Sequence, residues 1–186
     1  MSTLPTPFYS EIFTISSHHP FTIPHQYAGR FPKGEIPMMA TVAYTDYALQ
    51  QFFEEAKKQP WYNNTLFILT ADHPGPPNPG SFFYQNQIGA HATWLLLYKP
   101  NGQFKGTSDM VVQQSDIMPT VLDYIGYTGK YTAFGNSVFD SLAHILHLIF
   151  MQVNICCSIV ISCCNTMEIL YWDYTIIKMT VCLLKI

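Results

Sequence analysis

Asn64 to Pro77 reads NTLFILTADHPGPP, an apolar run that ends in an Asp-His pair followed by a loop of prolines and glycine. Leu66 to Leu69 is apolar at every position, which is typical of a strand buried on both faces of a mostly parallel sheet. Ligands of open α/β sheets bind where strands end at their carboxyl edge. Asp72 and His73 lie at that edge, and a carboxylate beside an imidazole can form half of a divalent-metal site. The same two residues could also simply begin a turn, so the local sequence leaves both interpretations open.

The segments around this stretch predict an α/β domain, with a mostly parallel sheet flanked by helices. We predict a strand over Phe8–Ser17, an amphipathic helix over Met38–Gln59, a second buried strand over Thr93–Tyr98 and a short helix over Asp116–Tyr124. Asp116 is a natural N-cap for this last helix. The alternation of strands and helices is the pattern of a layered α/β fold.

Composition separates a globular part from an unusual tail. The chain has 186 residues, a net charge of −3, 15% aromatic and 11% charged residues, so it can bury a core, and no nucleic-acid partner is indicated. All five cysteines follow residue 150, and no proline follows Pro119. We therefore divide the chain into a domain at 1–140 and an apolar, cysteine-containing tail at 141–186.

The tail admits three interpretations. Leu146–Cys164 is apolar and uncharged and has about the length that spans a bilayer, although Gln152 and Asn154 interrupt it. It could be a membrane helix, a core segment, or out-of-frame, non-native sequence that was never selected to fold. We favour the third interpretation, because it also explains the sudden appearance of cysteines after residue 150 and the lack of prolines in the tail. At the other end, Met1–Glu11 lacks the basic and apolar regions of a signal peptide.

Two adjacent histidines form a second candidate site. His18 and His19 follow the predicted first strand and precede a proline, much as Asp72 and His73 follow theirs. They could contact a ligand at the same sheet edge, or they could be exposed loop histidines. The residues alone leave the choice open.

Four blocks occur in one order: FTISSHHPFTIP, YTDYALQQFFEEAKKQPWYNNTLFILTADH, VVQQSDIMPTVLDYIGY and FGNSVFD. Together they resemble the sulfatase-like, phosphoglycerol transferase (lipoteichoic acid synthase-like) family of the alkaline phosphatase superfamily. The resemblance covers residues 5–145 and corresponds to the C-terminal part of the family's catalytic domain. It implies a partial alkaline phosphatase-like α/β fold. The blocks NTLFILTADH and DIMPTVLDYIG carry it most specifically when taken together.

The resemblance also implies roles for individual residues. Asp72 and His73 match the family's strand-end pair, which binds a divalent metal; Mn²⁺ or Mg²⁺ is expected, with Ca²⁺ as an alternative. His18 matches the histidine that contacts the transferred group, and His19 occupies a variable position beside it. His91 stands where the family usually has a tyrosine, so it is either an added substrate-binding residue or a plain loop histidine.

The implied activity is transfer or hydrolysis of a phosphate or sulfate ester. The family's nucleophile is a threonine in phosphoglycerol transferases and a modified cysteine or serine in sulfatases. It lies upstream of the matched blocks, and no residue here matches it. We expect a fragment of a metal-dependent phosphoglycerol transferase or phosphodiesterase, with no catalytic residue of its own and inactive alone. The alternatives are a sulfatase fragment and a noncatalytic pseudogene product.

Partners and location follow from the same resemblance. The expected substrate is a phosphoglycerol lipid or a sulfate or phosphate ester, bound once the site is completed by the missing half. The family's catalytic domain faces outside the cell membrane, so an association with the membrane is expected. The lack of a signal peptide in this chain leaves its own location open.

The out-of-frame interpretation predicts a specific DNA sequence. With suitable synonymous codons, a shifted reading of Glu168–Lys185 resembles the basic, aromatic ending of the family. Sequencing the gene should therefore show a family-like ending in another frame, beginning near codons 140–146. Absence of that ending from the other frames would contradict the prediction.

Overall fold

The computed structural model describes residues 5, 7–75, 82–85, 89–140, 147–151, 154–158 and 184–185. They fall into two compact units. The first contains the described residues up to Lys105 together with Leu184–Lys185, and the second contains those from Gly106 to Ser158. The predicted boundary at 140/141 separates the domain from a tail that we interpret as out-of-frame sequence. Nothing in the fold tests that interpretation, so the boundary stays a prediction.

The helices and strands of the described residues are few and mostly short. In chain order they are α1 (Pro37–Ala56), β1 (Thr65–Thr70), α2 (Phe82–Gln85), β2 (Leu95–Tyr98), α3 (Ile117–Tyr124), β3 (His147–Met151), β4 (Asn154–Ser158) and β5 (Leu184–Lys185). Single 3₁₀ turns form at His25–Tyr27, Tyr62–Asn64, Gly89–His91 and Gln114–Asp116. Both predicted helices are present, and strands lie where both buried strands were predicted, each with shifts of a few residues at its ends. β1 is buried throughout, but β2 is only half-buried and its Leu96 is 44% exposed. The prediction that the second strand is buried is therefore wrong, because an apolar run does not by itself supply cover for both of its faces.

Strand β1 is the centre of the sheet in the first unit, whose strand order is β2-β1-β5. Phe67 lies opposite Tyr98 of β2, and Thr65 lies opposite Lys185 of β5, with both pairings antiparallel. In the second unit β3 and β4 also pair antiparallel. The prediction of a mostly parallel sheet is therefore wrong for the described strands. An apolar run indicates that a strand is buried on both faces. An antiparallel strand covered on both faces shows the same run as a parallel one, so the run does not predict strand direction.

The strand predicted over Phe8–Ser17 is also wrong, because the described residues there join no sheet. The alternation that suggested it is real: Phe8 is buried, whereas Tyr9, Phe13 and Ile15 are exposed. Alternation fixes which side chains face inward, but a strand also requires a neighbouring backbone to pair with. The segment is thus patterned like a strand without being part of a ladder.

Aromatic side chains of α1, β1 and β2 form the core of the first unit. Phe67 is fully buried, with its ring centroid 5.1 Å from Phe53, 5.6 Å from Tyr62 and 5.7 Å from Tyr98. The hydroxyls of Tyr62 and Tyr98 form a hydrogen bond of 2.9 Å. Burial, reinforced by this hydrogen bond, raises the pKa of Tyr62 to about 12. The aromatic core thus contains its own polar pairing, and the raised pKa keeps the Tyr62 hydroxyl neutral at physiological pH.

In the second unit, two buried polar side chains hold α3 to the loop that follows it. Asp116 accepts hydrogen bonds from the backbone N–H of Gln113 at 2.8 Å and of Asn136 at 2.9 Å. Thr120 donates to the carbonyl of Asp116 at 2.6 Å and accepts from the N–H of Val138 at 3.0 Å. Asp116 does take the N-cap position, but its carboxylate makes no cap bond to α3. It ties the two segments together instead.

The tail lies mostly outside the described residues. Its parts at 147–151 and 154–158 form strands, so they are not a continuous helix. Of the helices in the described ranges, none is both long and apolar enough to cross a membrane.

Truncating Phe67 should test the importance of the aromatic core. We expect Phe67→Ala to lower the free energy of unfolding by about 3–5 kcal/mol, because it removes a fully buried ring and leaves a cavity. Phe82, which is 87% exposed, provides the matched control. Phe82→Ala should change the free energy of unfolding by less than about 0.5 kcal/mol. Urea denaturation followed by tyrosine and tryptophan fluorescence measures both. Similar losses in the two variants would mean that the cluster around Phe67 is not the stabilising core.

Candidate metal centre

The Asp-His pair lies where the chain leaves the core. Every residue of β1 is buried, and Ala71 is still only 1% exposed. The side chains of Asp72 and His73 are then 32% and 52% exposed. Thr70 donates a hydrogen bond of 2.8 Å to the carbonyl of Trp94, which fixes the end of β1 against the residue preceding β2. The pair is thus presented at the surface by a rigid, buried strand.

A backbone hydrogen bond orients the His73 ring. Its Nδ1 lies 2.7 Å from the carbonyl oxygen of Pro74, a residue that is itself buried. Because a carbonyl oxygen only accepts hydrogen bonds, Nδ1 carries the hydrogen. Metal-binding histidines usually donate their second ring nitrogen to a carbonyl or carboxylate in this way. The bond leaves Nε2 as the nitrogen that is able to bind a metal.

That nitrogen faces the neighbouring carboxylate. His73 Nε2 lies 3.4 Å from Asp72 Oδ2, longer than the usual 2.7–3.2 Å or so of an N–H···O hydrogen bond. Two ligand atoms each about 2.1 Å from one metal ion lie roughly 3.0–3.4 Å apart at octahedral or tetrahedral angles. The pair therefore fits two chemical states: an ion pair with a doubly protonated ring, or a neutral ring and a carboxylate sharing one cation.

Asp72 and His73 are joined by no further cluster of metal-binding side chains in the part of the chain that is described. There, no group of three or more His, Cys, Asp or Glu side chains is arranged to hold a metal ion. The structure thus brings together Asp72 and His73, the two predicted ligands, and gathers neither His18, His19 nor His91 into a metal-binding cluster with them.

His18 and His19 lie in two successive tight turns. The N–H of His18 bonds to the carbonyl of Ile15, and the N–H of Phe21 bonds to the carbonyl of His18. His18 Nδ1 lies 2.9 Å from the carbonyl of His19, so it also carries the hydrogen, and Nε2 is left for other contacts. The His19 ring packs on Phe21 with centroids 4.7 Å apart. Phe21 has a φ of 59°, which is uncommon for a residue with a side chain.

His91 ends the 3₁₀ turn Gly89–His91 and is exposed. Gly89 is buried, and a Cβ there would lie 1.9 Å from the carbonyl oxygen of Phe83, so the turn requires glycine. The turn therefore fixes where His91 lies on the surface.

One charged group, Arg30, has an unusual environment that the sequence motifs did not reveal. Arg30 lies over the ring of Tyr47, with 4.1 Å between the guanidinium carbon and the ring centroid. The signal was available: Tyr44 and Tyr47 are three residues apart on a predicted helix, and Arg30 is the only arginine in the sequence. That the turn at 27–31 would fold back onto this helix could not be read from the sequence.

Comparison with known proteins identifies the family of the chain. The sulfatase family model matches residues 2–127, which is more than half of the chain. The chain belongs to the sulfatase family. Membership implies an alkaline phosphatase-like α/β fold, and enzymes of this family generally use a divalent metal. The resemblance drawn from the motifs is thereby confirmed.

Two curated relatives are lipoteichoic acid synthases of Staphylococcus aureus, from strains USA300 and NCTC 8325 / PS 47. Each is 27% identical to this chain over 153 residues. The match covers 73% of this chain and 23% of the relative, so the chain spans about a quarter of their length. No solved structure matches the chain significantly.

A titration with Mn²⁺ should separate the ligand pair from other surface groups. We expect Asp72→Ala and His73→Ala each to weaken Mn²⁺ binding at least about 10-fold, since even outer-shell partners of metal ligands have effects of that size. Loss of free Mn²⁺ signal in electron paramagnetic resonance measures the affinity.

Matched controls are available on the same chain. Asp109 and His25 are exposed and lie outside the proposed site, so Asp109→Ala and His25→Ala should leave the affinity unchanged. Equal weakening by all four substitutions, or by none, would contradict a metal site at Asp72 and His73.

Proposed function

We propose that this chain supplies the metal-ligand part of a sulfatase-family enzyme of the phosphoglycerol transferase or phosphodiesterase type. The observation that carries the proposal is the Asp72–His73 pair, presented by buried β1 and oriented by the bond from His73 to Pro74. The names of the relatives support the choice of a phosphoglycerol lipid as the substrate. The transfer of glycerol phosphate from a lipid would place the reaction beside a membrane.

Asp72 and His73 would hold the metal, for which Mn²⁺ or Mg²⁺ is our first choice and Ca²⁺ the alternative. A bound metal ion would lower the pKa of a hydroxyl nucleophile and offset negative charge that develops on the nonbridging oxygens of the ester. In the proposed site, Asp72 contributes a carboxylate ligand. His73 contributes Nε2 as a nitrogen ligand, because the hydrogen bond from Nδ1 to the carbonyl of Pro74 sets the tautomer of the ring.

His18 is proposed to contact the group that is transferred. Its Nδ1 is engaged with the carbonyl of His19, so Nε2 is the nitrogen that meets the substrate. A phosphate oxygen without a proton only accepts hydrogen bonds, so Nε2 can donate to it only when the ring carries both hydrogens. In the neutral ring, Nε2 can instead accept the proton of a hydroxyl. His18 could thus bind the ester in one state and receive a proton in the other.

His19 and His91 are proposed as further substrate contacts. The His19 ring contacts Phe21 at an angle of 49° between the ring planes, and the residue is exposed. His91 is exposed at the end of its glycine-dependent turn. Both side chains could therefore reach a ligand at the surface without a rearrangement of the core.

A sulfatase activity is the second candidate, and the family match itself favours it. Sulfate and phosphate esters present similar tetrahedral groups with nonbridging oxygens, so the same metal pair suits both. The nucleophile would distinguish them, and none of the residues in this chain matches it. A noncatalytic pseudogene product is the third candidate, favoured by the composition of the tail.

We expect this 186-residue chain to be inactive by itself. A pair of metal ligands can bind a cation, but without an aligned hydroxyl the ester has no nucleophile in place. Assays with bis(p-nitrophenyl) phosphate and p-nitrophenyl sulfate, each with Mn²⁺ and with Mg²⁺, should show no turnover above the metal ion alone.

A saturable, metal-dependent turnover would contradict the expectation of inactivity, provided that it is lost in Asp72→Ala. It would also choose between the first two functions by its preference for one ester. Mn²⁺ binding without turnover supports the proposed role of the pair, whereas the absence of both supports the noncatalytic alternative.

A further inference from the structure

A short turn before α1 brings Arg30 against a group of rings. The N–H of Ala28 bonds to the carbonyl of His25, and the N–H of Arg30 bonds to the carbonyl of Tyr27. Gly29 lies between them with a φ of 75°, a left-handed conformation that residues with a Cβ rarely adopt. The turn reverses the chain so that Tyr27, Arg30 and Phe31 all reach α1.

Four aromatic residues form what we call the ring cluster: Tyr27, Phe31, Tyr44 and Tyr47. Tyr44 and Tyr47 lie on one face of α1, because residues three apart on a helix are neighbours. Each of them contacts both Tyr27 and Phe31, with ring centroids 5.4 to 5.8 Å apart. Two of the rings come from the turn and two from the helix, so the cluster fastens the turn to α1.

The guanidinium of Arg30 lies against this cluster. Its central carbon is 4.1 Å from the ring centroid of Tyr47, 5.7 Å from that of Tyr27 and 5.8 Å from that of Phe31. All three distances fall within the range of about 6 Å over which a cation is attracted to a ring face. The guanidinium is thereby held in position although the residue as a whole is exposed.

Among the residues that the structure describes, no counterion or acceptor holds the Arg30 charge. Within the described residues, the Arg30 side chain has neither an ion pair nor a hydrogen bond, and no such contact involves the hydroxyls of Tyr27, Tyr44 or Tyr47. The acidic residues near it in sequence, Glu35 and Asp46, are exposed and form no ion pair with it. Ring contacts therefore fix the group while its N–H donors remain available.

Such a group has a defined ligand chemistry. A guanidinium is planar, always charged and able to donate two parallel hydrogen bonds to one phosphate or carboxylate. Holding it on rings beforehand reduces the conformational entropy lost when a ligand binds. The free tyrosine hydroxyls nearby can donate to further oxygens of the same ligand. This combination suits a tetrahedral oxyanion better than a neutral or cationic ligand.

We propose that Arg30 on the ring cluster binds an oxyanion of the phosphate-ester class. The choice of phosphate esters rests on the proposed function, but the site uses neither Asp72 nor His73. It adds to the proposed function a means of holding a second anionic group of the substrate, independently of the metal ligands. The two proposals can therefore fail separately.

The single arginine makes the test direct. In a full-length ¹⁵N-labelled chain, Arg30 gives the one arginine Nε–Hε signal, because the sequence contains no other arginine. We expect titration with inorganic phosphate, in the presence of EDTA and at constant ionic strength, to shift this signal in a saturable way. The same signal should shift equally in the Asp72→Ala variant. No shift, or the same shift with chloride, would overturn the proposal.

Two substitutions separate a shaped site from simple charge attraction. Arg30→Lys keeps the charge and removes the planar pair of donors, so phosphate should bind about 10-fold more weakly. Tyr47→Leu removes the closest ring and should weaken binding about 3-fold, whereas Tyr131→Leu, at an exposed ring in the other unit, should have no effect. For the lysine variant, amide signals report the affinity. Phosphate affinity unchanged in Arg30→Lys would overturn the proposal even if Tyr47→Leu fails to fold.

Vesicles distinguish the source of the phosphate group. If it belongs to a lipid headgroup, the chain should sediment with phosphatidylglycerol vesicles but not with phosphatidylcholine vesicles, and Arg30→Lys should weaken binding to the phosphatidylglycerol vesicles about 10-fold. If it belongs to a free ester, glycerol phosphate should shift the Arg30 signal while the vesicles retain no protein. A chain that responds to neither probe would overturn the proposal.

Discussion

The burial of β1 is the constraint on which the first unit depends. Phe67 and Ile68 have no exposed surface, and α1 and β2 supply the rings that enclose Phe67. Burying an aromatic ring of this size stabilises the fold by roughly 1.5–3 kcal/mol, so the register of β1 can hardly slip. The position at which the chain emerges is fixed by the same burial. Ala71 is the last residue of the continuous buried run, and Asp72 is the first exposed residue after it.

The polar pairings around this core preserve its burial. Thr65 donates to the carbonyl of Trp61 at 2.7 Å, and Thr70 donates to the carbonyl of Trp94 at 2.8 Å, so both ends of β1 are tied to neighbouring backbone. Hydroxyl groups without a partner would disfavour burial of these threonines by about 1–3 kcal/mol each. The two bonds therefore let a strand with polar ends remain wholly inside, and they hold the Asp-His pair at a fixed place on the surface.

The sequence predicted features that depend on neighbouring residues and missed those that depend on distant ones. The spacing of apolar residues located α1, and the uninterrupted run located β1, because each pattern is local. The pattern in Phe8–Ser17 correctly separated inward from outward side chains but could not supply a pairing partner. Strand direction was wrong for the same reason, since burial does not distinguish a parallel neighbour from an antiparallel one.

The same distinction applies to the candidate site. Adjacent residues were sufficient to find Asp72 and His73, and the motif around them identified the family. The carbonyl partners of His73 and His18 depend on turn geometry, and the rings around Arg30 come from two separate segments. Neither arrangement has a signature in residue spacing alone.

One physical feature is common to the three groups that carry the proposals. His73 and His18 are oriented through Nδ1 by neutral carbonyls, and Arg30 is oriented through its face by aromatic rings. A carbonyl or a ring restricts rotation without satisfying the remaining donor or acceptor atoms. An acidic partner would orient the same groups but would also neutralise them, so a ligand would first have to displace it. Orientation by neutral contacts thus leaves Nε2 of His18 and the N–H edge of Arg30 ready for an oxyanion, whereas Nε2 of His73 faces the carboxylate of Asp72, with which it would share a metal ion.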